Sequence, residues 1–182
     1  RYTGLGGTTV YQLARIIEKA DYDVLLTAFN YSLIFREAAE SLIPAASAKG
    51  MGIVAGSPLQ QGCLAARYDD AIRNDPPAWL APKRVQQLLR LYEFSDRAAI
   101  PLPELAMRFV LSNPAIHTIL TGSRSPAEVE ANFRAVQAGP LPAGVLAELE
   151  DIAAMLPCRP FEEPFGAMFH ASRTYHGPGM AR

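Results

Sequence analysis

The chain has 182 residues and a mass of 19.8 kDa, which allows one domain with a substantial hydrophobic core. Seventeen lysine and arginine residues against eighteen aspartate and glutamate residues give a net charge of −1, which excludes the basic surface typical of nucleic-acid binding. No apolar run approaches the roughly 18 residues that a membrane-spanning helix needs.

The first ten residues read as a strand that runs into a glycine-rich turn at Gly6 and Gly7. Domain termini are normally exposed and frayed, so an opening inside a strand indicates the C-terminal part of a longer protein. Cys63 and Cys158 are far apart in the chain, which excludes a disulfide framework and favours the reducing conditions of the cytoplasm.

Helices and strands are predicted to alternate over the first half of the chain. After the glycine-rich turn, two threonines can cap a helix whose apolar residues recur at every third or fourth position. Residues 22–29 have the continuous apolar centre typical of a strand buried in a parallel sheet. A helix over 36–49 ends at Gly50, and residues 51–56 form another short apolar strand.

The alternation resumes after a long excursion over 63–82, which has no clear period and a length at which loops are usually functional. Helices are predicted over 83–95 and 104–111, followed by a strand over 115–120. Ser125 and Glu128 then spell a capping box for the next helix. A final helix precedes an irregular tail over 157–182, where His170 and His176 lack the partners of a metal site.

This alternation predicts an α/β fold with a parallel sheet. A complete (β/α)8 TIM barrel takes about 250 residues, so residues 1–156 correspond to roughly half of one, with 157–182 as a separate tail. The alternative is an open, doubly wound sheet that binds another phosphorylated ligand at 56–62. Such a sheet would reverse its strand order at a switch point.

Three segments together resemble the aldo-keto reductase family. They read IVAGSPLQQG at 53–62, LAMRFVLSNPA at 105–115 and TGSRSPAEVEANF at 121–133, in the order and spacing of the family. The resemblance covers about residues 1–156 and is nearest to the bacterial sugar and pyridoxal dehydrogenases. It implies that the chain supplies barrel strands five to eight of an oxidoreductase that uses NAD or NADP. The substrate would be a small molecule with a carbonyl or alcohol group.

By this resemblance, the cofactor's pyrophosphate belongs to the turn after the third strand. The hydroxyl of Ser57 and the backbone amides through Leu59 and Gln61 would cradle it, since such a turn supplies several donors without a charged side chain. Thr27 stands where the family often places a glutamine against the nicotinamide carboxamide.

The adenosine end of the cofactor is assigned, by the same resemblance, to Gly122, Ser123 and the helix that follows. The N-terminus of a helix binds anions, and Asn132 matches the family's adenine contact. Glu128 stands where members specific for NADP often carry arginine. A carboxylate there repels a 2′-phosphate and favours NAD, while Glu128 also completes the capping box with Ser125.

Two features depart from the family's pattern. Gly6 and Gly7 stand where the family has a serine-asparagine pair on the carboxamide, and Gly56 stands where many members stack an aromatic ring on the nicotinamide. Moreover, the family's catalytic residues come from the first half of the barrel. The resemblance therefore assigns no catalytic residue to this chain, and we expect the chain alone to be inactive.

Four open strands would leave two unpaired sheet edges, which invite pairing with another chain. The expected partner is either a missing N-terminal half-barrel or a second copy of this chain. The alternative function is a non-catalytic nucleotide-binding or regulatory module on the same fold.

Overall fold

Four short strands form one parallel sheet, in which the order in space, β1-β2-β3-β4, is the order in the sequence. A computed structural model describes residues 1–76 and 80–160. The strands are β1 (Gly4–Gly7), β2 (Val24–Ala28), β3 (Gly52–Gly56) and β4 (Thr118–Leu120). The helices are α1 (Val10–Lys19), α2 (Leu42–Ala48), α3 (Asp69–Asn74), α4 (Pro82–Ala98), α5 (Leu102–Leu111), α6 (Pro126–Gln137) and α7 (Ala143–Ala154). Short 3-10 turns cover Glu37–Ala39 and Gln60–Gly62.

The sequential parallel order is the one predicted for part of a barrel. Leu25 in β2 pairs with Leu5 in β1 and with Ile53 in β3, and all three pairings in the sheet are parallel. A doubly wound sheet would contain a reversal of strand order. The four described strands contain none, so the doubly wound alternative is wrong.

The helices cover one face of the sheet and leave the other open. Alternate residues of a strand point to opposite faces. On the covered face Ile53 is fully buried, and a Cβ at Gly7 would meet the side chain of Leu13 in α1 at 3.4 Å. On the open face Val24 is 36% exposed and Leu120 is 53% exposed. Within the described residues, no helix combines the length and the apolar composition that crossing a membrane requires.

The last helix, α7, packs against α4 and the segment that follows β2. Gln87 in α4 donates from Nε2 to the carbonyl of Ile152 at 2.9 Å. Arg36 forms an ion pair with Glu150 and donates to the carbonyl of Leu149 at 3.2 Å. These contacts tie α7 both to α4 and to the segment that follows β2.

The helix predicted over 36–49 is not continuous. A 3-10 turn covers Glu37–Ala39, and α2 begins only at Leu42. Pro44 explains the difference, because in a helix that began at residue 36 its ring would clash with the carbonyl of Glu40. In α2 it lies in the first turn, where a missing N–H costs no intrahelical bond.

The turn predicted at Gly6 and Gly7 is also wrong, because both residues belong to β1 and pair with Leu26 and Thr27. Thr9 immediately precedes α1 as expected, but its side chain makes no capping hydrogen bond.

The strand predicted over 115–120 shortens to the three residues of β4. The first residues of the predicted strand belong to a turn, in which the amide of Ile116 donates to the carbonyl of Asn113 at 3.0 Å. His117 stays against the sheet, since its Nδ1 accepts from the amide of Ile53 at 3.0 Å.

The irregular regions are only partly described. The excursion predicted over 63–82 contains α3, and residues 77–79 within it lie outside the described residues. Of the predicted tail over 157–182, residues 157–160 are described. His170 and His176 lie outside the described residues.

Candidate functional site

A cavity of about 500 Å³ lies beside the carboxyl ends of β3 and β4. In a (β/α)8 barrel, ligands bind at this edge of the parallel strands. One wall is the loop after β3, residues 57–62. The other wall is the loop after β4 together with the first two turns of α6.

The loop after β3 has left-handed backbone at three residues that are not glycine. The φ angles are 58° at Ser57, 47° at Gln60 and 51° at Gln61, and each such residue costs about 1–2 kcal/mol. The turns of this loop are closed by the amides of Gln60 and Gly62, which donate to the carbonyls of Ser57 and Leu59 at 3.0 Å each. The amides of Leu59 and Gln61 take no part in these two turns.

Helix α6 shows one half of the predicted capping box, because the Glu128 carboxylate accepts from the amide one residue before the N-cap Ser125. Ser125 Oγ accepts from the amide of Glu128 at 3.3 Å. The carboxylate of Glu128 turns back and accepts from the amide of Arg124 at 2.6 Å, while its other oxygen lies 3.9 Å from the Arg124 guanidinium. The carboxylate is therefore fixed against the loop after β4, at the rim of the cavity.

Asn132 joins the loop after β4 to the helix. Its Nδ2 donates to Ser123 Oγ at 3.1 Å and to Thr121 Oγ1 at 3.4 Å. Because both hydroxyl oxygens act as acceptors here, each hydroxyl keeps its own hydrogen to donate to a ligand. One amide side chain thus orients two hydroxyl groups into the same cavity.

Tyr68 supports the opposite wall of the cavity. Its hydroxyl donates to the carbonyl of Gly62 at 3.1 Å. Burial raises the pKa of Tyr68 further above neutrality, and the protonated phenol keeps this donor at neutral pH.

Seven of the eight residues predicted from the sequence to contact a cofactor line this one cavity. They are Ser57, Leu59, Gln61, Gly122, Ser123, Glu128 and Asn132. The structure does not bring Thr27 to it. Thr27 is 1% exposed on the helix-covered face of β2, and its Oγ1 has no hydrogen-bond partner among the described residues. Thr27 is therefore aimed at the helix layer.

Sequence reasoning missed two hydroxyl-bearing residues of the cavity lining, Tyr68 and Thr121. Thr121 directly follows β4, and a hydroxyl residue at the end of a strand was the available signal. Tyr68 precedes α3 in a region without hydrophobic period, so its sequence position gave no such signal. Gln60, which the sequence did not single out either, is buried and is not part of the cavity lining.

Comparisons with known proteins all indicate the same protein family. The model of the Aldo/keto reductase family matches residues 1–154. D-threo-aldose 1-dehydrogenase from a Pseudomonas species is 29% identical over 156 residues, which are 85% of this chain and 46% of that protein. Pyridoxal 4-dehydrogenase from Microbacterium luteolum is 32% identical over 133 residues, which are 69% of this chain and 37% of that protein.

A solved structure shares the fold. The holo form of an aldo-keto reductase from Bacillus halodurans superposes with a TM-score of 0.66 at 25% identity, over 84% of this chain and 50% of that one. The prediction of a partial TIM barrel is thereby confirmed. The chain spans about half the length, or less, of the relatives that it matches.

The capping box yields a prediction about stability. Ser125→Ala removes the acceptor of the Glu128 amide and should lower the free energy of unfolding by about 1 kcal/mol. The matched control is Ser47→Ala on the exposed side of α2, which should stay within about 0.5 kcal/mol of the parent. Urea unfolding followed by circular dichroism measures both, and equal effects of the two substitutions would contradict the cap.

Proposed function

The chain belongs to the aldo/keto reductase family, and on that premise we propose that it forms the cofactor-binding half of an NAD(P)-dependent oxidoreductase. Residues 1–156 are the half-barrel in this proposal, and 157–182 follow as a tail. The substrate is a small carbonyl compound or alcohol of the aldose, aldehyde or pyridoxal kind, and the compartment is the cytoplasm. The convergence of Ser57, Ser123 and Asn132 on one cavity is the observation that carries the proposal.

The donors at the loop after β3 fit a pyrophosphate. Ser57, Leu59 and Gln61 line the cavity from one side, and the Ser57 hydroxyl and the two amides are the donors we assign to the pyrophosphate. Backbone amides presented by successive turn residues form a concave anion site of the kind that binds phosphates. The volume of about 500 Å³ lies within the ordinary range of cofactor and ligand pockets.

The donors on the other wall fit the adenosine end. The hydroxyls of Ser123 and Thr121 are oriented by Asn132. In the first turn of α6, Pro126 has no N–H and the Glu128 amide is taken by Ser125, so the two hydroxyls are the main donors of this wall. This wall therefore offers a few directed donors to ribose or phosphate oxygens.

Hydride transfer is the chemistry that a nicotinamide cofactor supplies when it is bound. The residues of this chain would bind and orient that cofactor, while the family resemblance assigns the proton donor to a part of the barrel outside this chain. We therefore propose that the chain alone binds the cofactor without turning over a substrate.

Calorimetric titration tests this proposal. The chain should bind NAD+, and Ser123→Ala should weaken that binding about three- to tenfold because one directed hydrogen bond is lost. Ser47→Ala serves as the control of equal chemistry and should leave the affinity unchanged. Turnover of aldoses, alcohols or pyridoxal by the purified chain would refute the predicted inactivity, and absence of NAD+ and NADP+ binding would refute the function.

Glu128 supports NAD as the cofactor. Its carboxylate is fixed at the cavity rim by the Arg124 amide at 2.6 Å. A 2′-phosphate next to this carboxylate would meet like charge, whereas a ribose hydroxyl could donate to it. The nearby Arg124 guanidinium is held 3.9 Å from the same carboxylate, which reduces the attraction it offers to a phosphate.

Charge substitutions at this position should shift the preference between nucleotides. Glu128→Gln removes the charge and keeps an acceptor for the Arg124 amide, so the affinity for NADP+ relative to NAD+ should rise about tenfold. Glu130→Gln makes the same change two residues along α6, at a position that does not line the cavity and where Glu130 pairs with Arg134. An equal shift from both variants in competition titrations would show that overall charge, and not Glu128, decides the preference.

The open face of the sheet supports a half-barrel partner over a second copy of this chain. Four of its inward positions are glycines, namely Gly4, Gly6, Gly52 and Gly56. The interior of a closed barrel is filled by layers of bulky side chains. A second copy would bring the same glycines again and leave voids, whereas a half of different sequence can supply the missing volume.

Apolar side chains beside both sheet edges also support such a partner. On α6, the helix that follows β4 and packs on α5, Val129 is 55% exposed, Phe133 61% and Val136 42%. On α1, next to β1, Ile16 is 40% exposed. The spacing of the three α6 residues places them on one stripe of the helix, as expected for a surface that another helix covers.

Without that partner, the chain should self-associate through these edges. Light scattering should show oligomers of the parent chain, and Phe133→Lys should shift them toward monomer because a charge would then have to be buried. Arg134→Lys, on the neighbouring exposed position of α6, should not change the distribution. A parent chain that is a clean monomer at high concentration would contradict the need for edge closure.

A further inference from the structure

Strained backbone clusters at the ends of β2 and β3. Among the described residues, five that are not glycine have left-handed backbone, and four of them lie here: Phe29, Ser57, Gln60 and Gln61. The fifth, Ala99, ends helix α4 far along the chain. Residues held in such conformations persist only where surrounding contacts determine them, and they concentrate at functional sites.

Several hydrogen bonds that hold these left-handed residues in place involve the backbone of Phe29. Its carbonyl, directly after β2, accepts from Gln60 Nε2 at 3.3 Å and from Arg159 Nη2 at 2.9 Å. Its amide donates to the carbonyl of Gly56 at 3.4 Å. The same Gln60 Nε2 also donates to Ser32 Oγ at 3.0 Å. Both hydrogens of one carboxamide nitrogen therefore serve the loop after β2.

Gln60 faces the opposite way from its neighbours in the loop after β3. It is 2% exposed and turned into the protein, whereas Leu59 and Gln61 line the cavity. The direction of the Leu59 and Gln61 amides therefore depends on how the residue between them is anchored. Its anchors lie on a different strand connection, the loop after β2.

From these contacts we propose that Gln60 is a positioning residue for the pyrophosphate. Its carboxamide ties the loop after β3 to Phe29 and Ser32 and thereby holds the Leu59 and Gln61 amides in the orientation that phosphate requires. The inference rests on the proposed function and names the residue that pre-organises one part of the site. Pre-organised donors bind more tightly because less ordering is needed on binding.

Gln60→Met tests the bridge, because methionine keeps the unbranched shape and removes both donors. The substitution should weaken the binding of ADP about tenfold, while the binding of adenosine, which lacks the pyrophosphate, should change less than twofold. Gln86→Met on the exposed side of α4 is the matched control for the change of residue type. Ala99→Gly is the control for relief of left-handed strain, and neither control should move either affinity.

A second readout follows the bridge without any nucleotide. Hydrogen exchange in the free chain should accelerate in both 57–62 and 29–35 when Gln60 is replaced by methionine. Equal loss of ADP and adenosine affinity, or faster exchange in 57–62 alone, would overturn the inference. If the parent chain binds neither ADP nor NAD+, the proposed function is wrong, and the exchange measurement decides separately whether Gln60 joins the two loops.

Discussion

The candidate site depends on the parallel pairing of β3 with β4. Gly56 pairs with Leu120 at the carboxyl end of both strands, so the next residues, Ser57 and Thr121, begin their loops side by side. More than sixty residues separate them in the chain, and only this register brings their loops to one cavity. A slip of one residue would turn the side chains of β4 to the other face and displace the second wall.

A strand of three residues cannot hold that wall by itself, and helix packing supplies the remainder. Arg108 in α5 donates to the carbonyl of Gly139 at 2.8 Å and to that of Pro140 at 3.2 Å, and it pairs with Glu104. The contacts fasten the end of α6 to α5, which lies on the sheet. Helix α6 is therefore held at both of its ends, which positions the Glu128 carboxylate in its first turn.

The sequence was sufficient for the order of the elements and for the polar residues at strand ends, but not for which face a residue occupies. Residues 22–29 are apolar nearly throughout, and such a run carries no alternation that distinguishes the covered face from the open one. The resemblance matches Thr27 to a family position that often holds a glutamine on the carboxamide, but its register in β2 puts it on the helix-covered face. The role of Gln60 could not be predicted for another reason, because no sequence propensity indicates left-handed backbone at a glutamine.

The charge of the cavity explains why loop geometry matters so much here. Among its described lining residues only Arg124 and Glu128 are charged, and they lie close to each other. An anionic ligand would therefore be held mainly by amide and hydroxyl dipoles, whose energies fall steeply as hydrogen-bond angles deviate from linear. A mobile side-chain cation can follow a displaced phosphate, whereas a backbone amide cannot. A site of this kind needs its loop fixed before the ligand arrives, and the left-handed residues in the loops after β2 and β3 meet that need.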